Sequence, residues 1–407
     1  MSLSIETAFL DELRAFAAFG TASEETELTL DNRLRIPVIT NEFWTARQRD
    51  AHSLHEISYR ACFKPQLPRF FVERLTSEND RVFDPFMGRG TTLIEAALMK
   101  RRVGGCDINP LSLNLIRPRL NPPTLEDIKS RLSKLSLDSG TPLQEELLVF
   151  FHPDTLREIA ALREYFISGK HELDVVDHWI RMVATNRLTG HSSGFFSVYT
   201  LPPNQAVSVT SQQKINEKRN QSPEYRHVAE RILRKSRSLL KDCSSEDRDA
   251  LQDAGKSAIL LNSSSDHLEG VADNSVSLVV TSPPFLDVVN YTTDNWLRCW
   301  FNGIDASSVP IWQLRNLGEW EQAMEKTFRE LHRILKPRGW IAFEVGEVRK
   351  GNLKLEENVA VVAAKAGLIP VVVMINQQEF TKTAACWGIS NLAKGTNSNR
   401  IVVLRKA

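Results

Sequence analysis

The feature that most constrains this chain is a strand, a tight turn, a helix and a second strand that follow one another between residues 81 and 107. The segment RVFDPF is a short apolar run that stops at Pro85, and GRG supplies the turn. TTLIEAALMKR then has helical periodicity and opens with threonines suited to capping, and VGGCDI is the next strand, ending at Asp107. Strands that alternate with helices predict a parallel sheet with helices on its faces.

The alternation of strands and helices stops and later resumes, which predicts one sheet with a large insertion. LSLNLI begins another helix, and the pattern stops after Pro118. The following region contains helical stretches, such as 143–166 and 173–188, and long polar segments. Strand-like and helical segments alternate again from SAILLN to the final NRIVVLRK. We predict an α/β protein with a Rossmann-like, doubly wound, mostly parallel sheet. Its parts are 1–120 and 258–407, which form the main domain, and 121–257, a large and partly helical insertion.

The first twenty residues predict a helix, because Phe9, Leu10, Leu13, Phe16 and Phe19 fall on or near one face. Packing of this helix on the main domain is the favoured interpretation, and a partner-binding or dimer helix is the alternative. Residues 21–50 are polar with mixed signals and receive no element.

Composition limits the class of protein. The 407 residues have a net charge of +1, so a nucleic-acid surface would need its positive charge gathered on one face. The five cysteines are scattered and include no CxxC pair, which argues against a zinc site or a disulfide framework. No apolar run approaches the length of a membrane span, and the N-terminus has no signal pattern. We expect a cytoplasmic protein with reduced thiols, no membrane attachment and no metal.

The glycine turn in this first unit has the chemistry of a cofactor loop. Gly88 and Gly90 let the backbone turn tightly and approach a ligand without a Cβ clash. Asp107 ends the next strand about twenty residues later, where a carboxylate can accept both hydroxyls of a ribose. A Walker loop would require Gly-Lys-Ser/Thr, whereas Gly90 is followed by Thr91. A nucleoside cofactor is therefore favoured, with a purely structural turn as the alternative.

A second loop, Thr281-Ser282-Pro283-Pro284-Phe285, follows the apolar strand VSLVV. Its two prolines fix the backbone and remove two N–H donors. Carbonyl oxygens remain, beside a hydroxyl and an aromatic ring, and together they suit an amino group on a flat ring. In a doubly wound sheet this loop lies at the carboxyl edge, where ligands bind. Alone, a Pro-Pro turn is as often structural.

With both loops in view, the chain resembles the amino-group DNA methyltransferases, which modify cytosine N4 or adenine N6. DPFMGRGTT resembles the family's cofactor motif, TSPPF its catalytic motif, CFKPQLP at 62–68 its flanking cofactor motif, and GTNSNRIVVLRK at 395–406 its last strand. The resemblance implies a class I methyltransferase fold, S-adenosylmethionine as the cofactor and double-stranded DNA as the partner. The cofactor motif comes first here, as in the family branch that carries its target-recognition region between the two motifs.

The resemblance also implies roles for individual residues. The expected cofactor-binding residues are Lys64, Pro65, Asp84, Pro85, Phe86, Gly88, Gly90, Thr91, Thr92, Asp107, Asn109 and Asp266. Lys64 and Pro65 would flank the methionine end. Asp266, after the next strand, either contacts the adenine or belongs to a surface turn. The expected catalytic residues are Ser282, Pro283, Pro284 and Phe285.

In the implied mechanism, Phe285 stacks on the flipped base. The Ser282 side chain and the Pro283 carbonyl accept hydrogen bonds from the amino group. Asn290, Tyr291 and Asn295 follow this loop and either line the base pocket or form a capped helix start.

The Ser-Pro-Pro form of the catalytic loop favours cytosine N4 as the target, since adenine enzymes more often carry Asp or Asn there. Adenine N6 in DNA, an amino group in RNA and a non-catalytic binding module are the alternatives. Carbon-5 methylation of cytosine would need a thiolate, usually in a Pro-Cys loop, and no cysteine here follows a proline.

The insertion contains a basic segment at residues 212–241, where nine lysines and arginines face three glutamates, a net charge of +6. Such density fits contacts with phosphates, and a solvated helix face is the alternative. The residues expected to bind DNA are Lys214, Lys218, Arg219 and Arg226. The upstream loop at 189–205 is suited to entering a groove, where Asn204 or Gln205 could contact adenine edges.

Overall fold

A nine-stranded sheet forms the centre of the described protein. The computed structural model describes residues 5–30, 34–45, 51–59, 62–138, 140, 142–200, 206–284, 291–312, 314, 316–345, 354–382 and 393–407. The strands are β1 Glu24–Leu30, β2 Leu34–Asn41, β3 Arg81–Asp84, β4 Arg102–Cys106, β5 Ile259–Leu261, β6 Val276–Thr281, β7 Leu335–Val345, β8 Leu368–Lys382 and β9 Ala393–Lys406.

Helices cover both faces of this sheet and make up most of the inserted region. The helices are α1 Ile5–Ala15, α2 Gln66–Leu75, α3 Thr91–Leu98, α4 Leu111–Ile116, α5 Leu125–Lys134, α6 Pro153–Ile167, α7 Val175–Thr185, α8 Val209–Arg219, α9 Val228–Leu239, α10 Ser245–Lys256, α11 Tyr291–Asn302, α12 Leu317–Ile334 and α13 Leu355–Lys365. Short 3-10 helices lie at Ser53–His55, Arg117–Leu120 and Glu145–Val149.

The strand order is β1-β2-β8-β9-β7-β6-β3-β4-β5. Neighbouring strands are parallel from β7 through β6, β3 and β4 to β5, whereas β9 runs antiparallel to both β7 and β8. The chain moves outwards from β3 to β5 on one side and from β6 to β7 on the other, so its direction of progress reverses between β3 and β6. The doubly wound, mostly parallel sheet expected of a class I methyltransferase is thereby confirmed. Ligands of such sheets bind at this reversal, beyond the carboxyl ends of the strands.

The central strands are covered on both faces, which explains their apolar sequences. β6 reads VSLVVT, and all six residues are buried. Val82 and Leu278 belong to one hydrophobic cluster, which also contains Leu93 of α3. Phe83 and Val279 belong to a second cluster, which contains Phe328 of α12. Adjacent residues thus serve opposite faces, as the period of two in a strand requires.

The N-terminal region contributes more than the predicted helix. α1 packs on the sheet, with the Phe9 ring 5.8 Å from the Trp340 ring. Residues 24–30 and 34–41, to which the sequence analysis gave no element, form the antiparallel β1–β2 hairpin and extend the sheet beyond β8. β1 is mostly exposed at the sheet edge, so burial imposes little apolar alternation on its EETELTL sequence.

The inserted region is helical, and its helices share a core with the sheet. The predicted stretches 143–166 and 173–188 correspond to α6 and α7, with the 3-10 turn at Glu145–Val149 in front of α6. Phe150, Trp179 and Ile232 lie in the same hydrophobic cluster as the sheet residue Val82. The boundaries at 120 and 258 remain a prediction. In the described part of the chain, no helix combines the length and apolar character that crossing a bilayer demands.

Candidate active site

The two sequence motifs meet at the reversal point of the sheet. β3 pairs with β6 in parallel, with Val82 opposite Leu278. Beyond this pairing, the Thr281 hydroxyl donates a 2.6 Å hydrogen bond to Asp84 Oδ1. The Thr92 hydroxyl donates to the Val280 carbonyl at 3.0 Å. The loop at residues 84–92, which we name the cofactor loop, is therefore tied directly to the strand that delivers Ser282.

Left-handed glycines give the cofactor loop its shape. Gly88 and Gly90 have φ values of +46° and +75°. The Gly90 amide donates to the Met87 carbonyl at 2.5 Å, which closes the turn immediately before α3. A Cβ on Gly90 would lie 2.5 Å from Ile116 Cγ1, so a larger residue is excluded by contact as well as by conformation.

Asp107 follows β4 and fixes the loop from the other side. Its Oδ2 accepts a hydrogen bond from the Gly88 amide and its Oδ1 accepts one from the Asn109 amide, both at 2.8 Å. Burial raises the pKa of Asp107 above its usual value, and the two amides partly oppose that effect. The carboxylate that could accept ribose hydroxyls thus also organises the turn.

Asp84 is a second buried carboxyl group at the same edge. Its Oδ1 accepts hydrogen bonds from the Thr281 hydroxyl and from the Phe86 amide. Burial raises the pKa of Asp84 to about 7, despite these two donors. This group can therefore change charge near neutral pH while it faces the ligand cleft.

A cleft lies above this edge and contains parts of both motifs. Nine of the expected site residues line it: Asp84, Pro85, Phe86, Gly88, Thr91, Asp107, Asn109, Ser282 and Pro284. Gly90 and Thr92 are not in the lining; they shape the loop from behind, through Ile116 and the Val280 carbonyl. The geometry therefore brings the cofactor loop and the Ser-Pro-Pro loop to one cavity.

Three other expected cofactor residues lie outside the lining. Lys64 and Pro65 follow the lining residues Cys62 and Phe63 and lead into α2. Asp266 Oδ1 accepts a hydrogen bond from Ser264, which is in the lining. Asp266 therefore contacts a residue of the cleft wall and does not itself line the cleft.

Three further lining residues, Cys62, Phe63 and Met87, belong to the predicted cofactor motifs but were not named as site residues. The sequence analysis missed the other lining residues, which are Tyr59, Ile108, Ser263, Ser264, Ser265, Ile311 and Trp312. The three serines follow β5, and their position at a strand end was a usable signal. Trp312 comes from the segment before α12, and its ring lies 6.0 Å from the Phe86 ring at an angle of 69°. Nothing in the local sequence indicates that this tryptophan returns to the cofactor loop.

The Ser-Pro-Pro loop is described as far as Pro284, and Phe285 and Asn290 lie outside the described residues. The Pro284 carbonyl accepts a hydrogen bond from Trp320 Nε1 at 3.3 Å, which anchors the loop to α12. Tyr291 begins α11, and Asn295 Oδ1 in that helix accepts from Arg298 Nη1 at 2.9 Å. Asn295 is thus engaged within its own helix.

The basic segment divides into exposed and engaged cations. Lys214, Lys218 and Arg219 are exposed along α8, and the Arg219 guanidinium lies 3.7 Å from the centre of the Tyr199 ring. Arg226 donates instead to the backbone carbonyls of Phe195 at 3.1 Å and of Ser197. Asn204 and Gln205 lie outside the described residues.

The insertion reaches the helix that follows the Ser-Pro-Pro loop. The Ala206 amide donates to the Asp294 carbonyl at 3.0 Å, and Trp296 Nε1 donates to the Val207 carbonyl at 3.2 Å. Both contacts join the residues that directly follow the 189–205 loop to α11. In the described residues, His, Cys, Asp and Glu form no group of three that could hold a metal ion.

Comparison with known proteins gives a family match over the first part of the sheet. Residues 25–117 match the model of the N6 and N4 methyltransferases, described as DNA methylase. Type II methyltransferase M.MvaI from Kocuria varians is 31% identical over 126 residues, which are 30% of this chain and 25% of that protein. Type II methyltransferase M.BsoBI from Geobacillus stearothermophilus is 22% identical over 285 residues, 63% of this chain and 54% of that protein. The alignments therefore span a quarter to about half of these relatives.

Solved structures give only distant similarity. TrmN from Thermus thermophilus has 11% identity and a TM-score of 0.33, with 89% of this chain and 52% of TrmN covered. The rRNA methyltransferase AviRa from Streptomyces viridochromogenes has 13% identity and a TM-score of 0.32, with 89% and 91% covered. Similarity at this level adds nothing to the strand topology described above.

The cleft suits S-adenosylmethionine in its polar and apolar groups. Asp107 offers carboxylate oxygens at a strand end, and Phe86, Ile108 and Trp312 offer apolar contacts for a purine. Asp84 adds an acidic group for a cationic ligand, beside Ser282. The family match and this lining together support S-adenosylmethionine as the cofactor.

Proposed function

We propose that this protein, which matches the DNA methylase model over residues 25–117, transfers a methyl group from S-adenosylmethionine to the exocyclic N4 of a cytosine in double-stranded DNA. The observation that carries the proposal is the single cleft lined by both Asp107 and Ser282. A carboxylate that can bind the cofactor and a loop rich in hydrogen-bond acceptors line one cavity. This arrangement suits the transfer of a group between two ligands that are bound side by side.

The residues around the cleft have separable tasks in this reaction. S-adenosylmethionine supplies an electrophilic methyl group on a sulfonium, which is already a good leaving group. Asp107 holds the ribose, and the Gly88–Gly90 turn lets the backbone approach the ligand closely. Ser282 Oγ accepts a hydrogen bond from the target amino group and orients its nitrogen lone pair towards the methyl carbon. Positioning and charge complementarity supply most of the catalysis, because no covalent intermediate with the protein is needed.

The target base must leave the helical stack to reach this loop. Pro283 and Pro284 remove two donors beside Ser282, so an amino group meets acceptors rather than competing N–H groups. We assign Phe285 the role of stacking on the extruded base. Cytosine N4 is the favoured amino group because the loop has the Ser-Pro-Pro form.

Double-stranded DNA is the proposed substrate because the insertion combines exposed cations with hydrogen bonds to α11, the helix that follows the Ser-Pro-Pro loop in the chain. Lys214, Lys218 and Arg219 would contact phosphates along α8. The hydrogen bonds from Ala206 and Trp296 join the 189–205 loop to α11. A groove contact made by that loop would therefore be transmitted to the helix that follows Ser282.

The decisive experiment identifies the methylated nucleoside. The purified protein is incubated with methyl-labelled S-adenosylmethionine and mixed-sequence duplex DNA, which is then digested to nucleosides and separated. We expect label in N4-methylcytosine, lost in Ser282→Ala and retained in Ser245→Ala, an exposed serine of α10.

Each alternative outcome has a distinct meaning. Label in N6-methyladenine would retain the family and the mechanism but replace the base assignment. Label in structured RNA, with none in duplex DNA, would replace the substrate. Cofactor binding without transfer to either nucleic acid would refute the proposed enzymatic function.

A further inference from the structure

The 189–205 loop begins with a tight turn at residues 192–195. The Phe195 amide donates a 3.1 Å hydrogen bond to the Ser192 carbonyl, which closes the turn. The first two residues of the turn are exposed, whereas the Phe195 ring is buried. Gly190 leaves room for this ring, because an added Cβ would overlap it. The buried ring therefore fixes a turn whose tip faces solvent.

Two guanidinium groups converge on this turn, and we name Arg187 and Arg234 the arginine pair. Arg187 follows α7, whereas Arg234 is an exposed residue of α9. A Cβ placed on Gly194 would lie 3.0 Å from Arg234 Nη2 and 3.9 Å from Arg187 Nη1. Side chains from two separate elements therefore meet at one glycine, where a larger residue would crowd them.

The contacts that hold Arg187 do not cancel its charge. Its guanidinium lies 4.0 Å from the centre of the Phe195 ring, and its Nε donates to the Asn186 carbonyl at 2.9 Å. A ring and a carbonyl are neutral, so they position the guanidinium without neutralising it. Burial, and then the charges of Arg234 and Arg298, lower the pKa of Arg187 to about 10. An anion bound between the members of the arginine pair would relieve their repulsion.

Two more arginines bind the carbonyl oxygens of the same turn. Arg226 Nη1 donates to the Ser192 carbonyl at 3.3 Å, and Arg231 Nε donates to the Ser193 carbonyl at 3.1 Å. These bonds engage acceptors that would otherwise repel an incoming anion. Acidic side chains act on both of these arginines, so the excess positive charge lies at the arginine pair.

The arginine pair is connected to the wall of the cleft. Asn186 directly precedes Arg187, and its Oδ1 accepts a 2.9 Å hydrogen bond from the Ser58 amide. The next residue, Tyr59, lines the cleft together with Ser282. A group bound at the arginine pair is therefore linked, through one hydrogen bond and adjoining backbone, to the cleft in which we place methyl transfer.

We propose that Arg187 and Arg234 form a binding site for a backbone phosphate of duplex DNA, which fixes the strand beside the cleft. This inference rests on the proposed methyl transfer to DNA. A phosphodiester carries one negative charge, and its oxygens match the planar donor fork of a guanidinium. Such a contact sets the position of the strand and carries no sequence information. It differs from the exposed row on α8, because two elements of the fold build it.

Arg234→Gln tests the site at its exposed member. We expect the affinity for duplex DNA to fall about tenfold near physiological salt, because a charged hydrogen bond is lost. The slope of log K against log salt should decrease by about 0.9. Fluorescence anisotropy with a labelled mixed-sequence duplex measures both quantities. Arg329→Gln, at an exposed arginine of α12 outside the insertion, removes the same charge and should change the affinity by less than about twofold.

A double-mutant comparison tests whether both arginines bind one phosphate. Arg187→Gln and Arg234→Gln together should weaken binding by less than the product of the two single losses, because either change already disrupts the shared contact. Gly194→Ala keeps both charges but crowds Arg234, so it should also weaken DNA binding. Melting temperatures identify any loss of folding in Arg187→Gln, which gives up its contact with the Phe195 ring.

Steady-state kinetics give a second measurement. With S-adenosylmethionine saturating, Arg234→Gln should raise the KM for DNA and leave both kcat and the dissociation constant for S-adenosylmethionine near their wild-type values, because Arg234 does not line the cleft. A general structural defect would lower kcat as well.

An unchanged affinity and salt slope in Arg234→Gln would overturn the inference, as would an equal loss in Arg329→Gln, which would indicate an effect of net charge alone. Losses that multiply in the double variant would assign the two arginines to separate contacts and overturn the shared site. Wild-type protein that binds duplex DNA without methylating it would remove the proposed function, while the binding comparison would still decide this inference. Wild-type protein that binds structured RNA and no duplex DNA would overturn duplex DNA as the occupant.

Discussion

The cofactor loop and the basic segment were both predicted from the sequence to bind ligands. In the structure, the residues of the cofactor loop act together, whereas those of the basic segment divide between contacts within the protein and exposure to solvent. In the cofactor loop, the Gly88 amide donates a hydrogen bond to Asp107, and both residues line the same cleft. In the basic segment, Arg226 and Arg231 hold carbonyls of the neighbouring loop, while Lys214 and Lys218 remain exposed. A motif with a strict backbone geometry identifies its residues one by one, whereas charge density identifies only a region.

The physical reason is that neighbours in the sequence define the role of a loop residue, whereas the tertiary fold decides which group a long cationic side chain binds. A left-handed glycine or a strand-end carboxylate has a role that its own few neighbours define. An arginine side chain is long and carries five donors, so it can reach either a phosphate or a backbone carbonyl. Which of these it binds depends on the tertiary fold.

The largest effect is expected at Gly90 in the cofactor loop. Gly90→Ala places a Cβ at a φ of +75° and 2.5 Å from Ile116 Cγ1. Backbone strain and overpacking should together lower the free energy of unfolding by about 3 kcal/mol. The measurement is urea denaturation of the variant and the wild type.

Gly169→Ala is the control for Gly90→Ala, because its φ of +65° is similar but nothing lies within 4 Å of the added Cβ. It should cost only about 1 kcal/mol. Equal costs at the two positions would show that the contact with Ile116 relaxes and that the loop tolerates a larger residue.

The next effect concerns cofactor affinity at Asp107. Asp107→Ala removes the carboxylate that accepts from the Gly88 and Asn109 amides and that we assign to the ribose. Loss of these charged hydrogen bonds should weaken S-adenosylmethionine binding about a hundredfold. Calorimetric titration measures this change, and Asp253→Ala on α10 is the exposed control. An unchanged affinity in Asp107→Ala would remove Asp107 from the cofactor site.

The sequence predicts the residues at the centre of this cleft and does not predict those at its rim. Asp84, the glycines and Asp107 follow from strand-turn-helix periodicity, which is local. Trp312 reaches the cleft from a segment more than two hundred residues after the cofactor loop, and no local pattern indicates that return. The β1–β2 hairpin was missed for the related reason that an exposed edge strand has little apolar alternation.

A third, smaller effect is the pH dependence contributed by Asp84. Its pKa is about 7 in the folded protein, against a usual value of 3.8. The folded state therefore binds this proton more tightly than the unfolded chain, and the resulting stabilisation is present below pH 4 and is lost as the pH rises through 7. Asp84→Asn stays neutral and keeps an acceptor for Thr281, so it should lack this loss.

Urea denaturation at pH 5 and pH 8 tests this expectation. The stability of Asp84→Asn relative to wild type should increase by about 2 kcal/mol between the two pH values. Asp249→Asn on α10 is the exposed control and should follow the wild type. A constant difference between Asp84→Asn and wild type would show that Asp84 does not titrate in this range.

The smallest effect, and the sharpest test of the comparison, lies within the basic segment. The double variant Lys214→Ala/Lys218→Ala removes two exposed cations one turn apart on α8. If both contact phosphates, DNA affinity should fall several-fold near physiological salt, and the slope of log K against log salt should decrease by about 1.8. The melting temperature should stay near wild type, because neither side chain is buried.

Arg226→Ala should show the reverse pattern. It removes a guanidinium that donates to the Phe195 and Ser197 carbonyls, so the main result should be a lower melting temperature with a smaller change in the salt slope. Binding to duplex DNA at several salt concentrations and thermal denaturation give both quantities for each variant. If Arg226→Ala lowers the slope as much as the lysine pair and leaves the melting temperature unchanged, the engaged arginine exchanges its carbonyls for phosphates when DNA binds. Charge density alone would then have been the better guide to this surface, because the cations would act together regardless of their partners in the free protein.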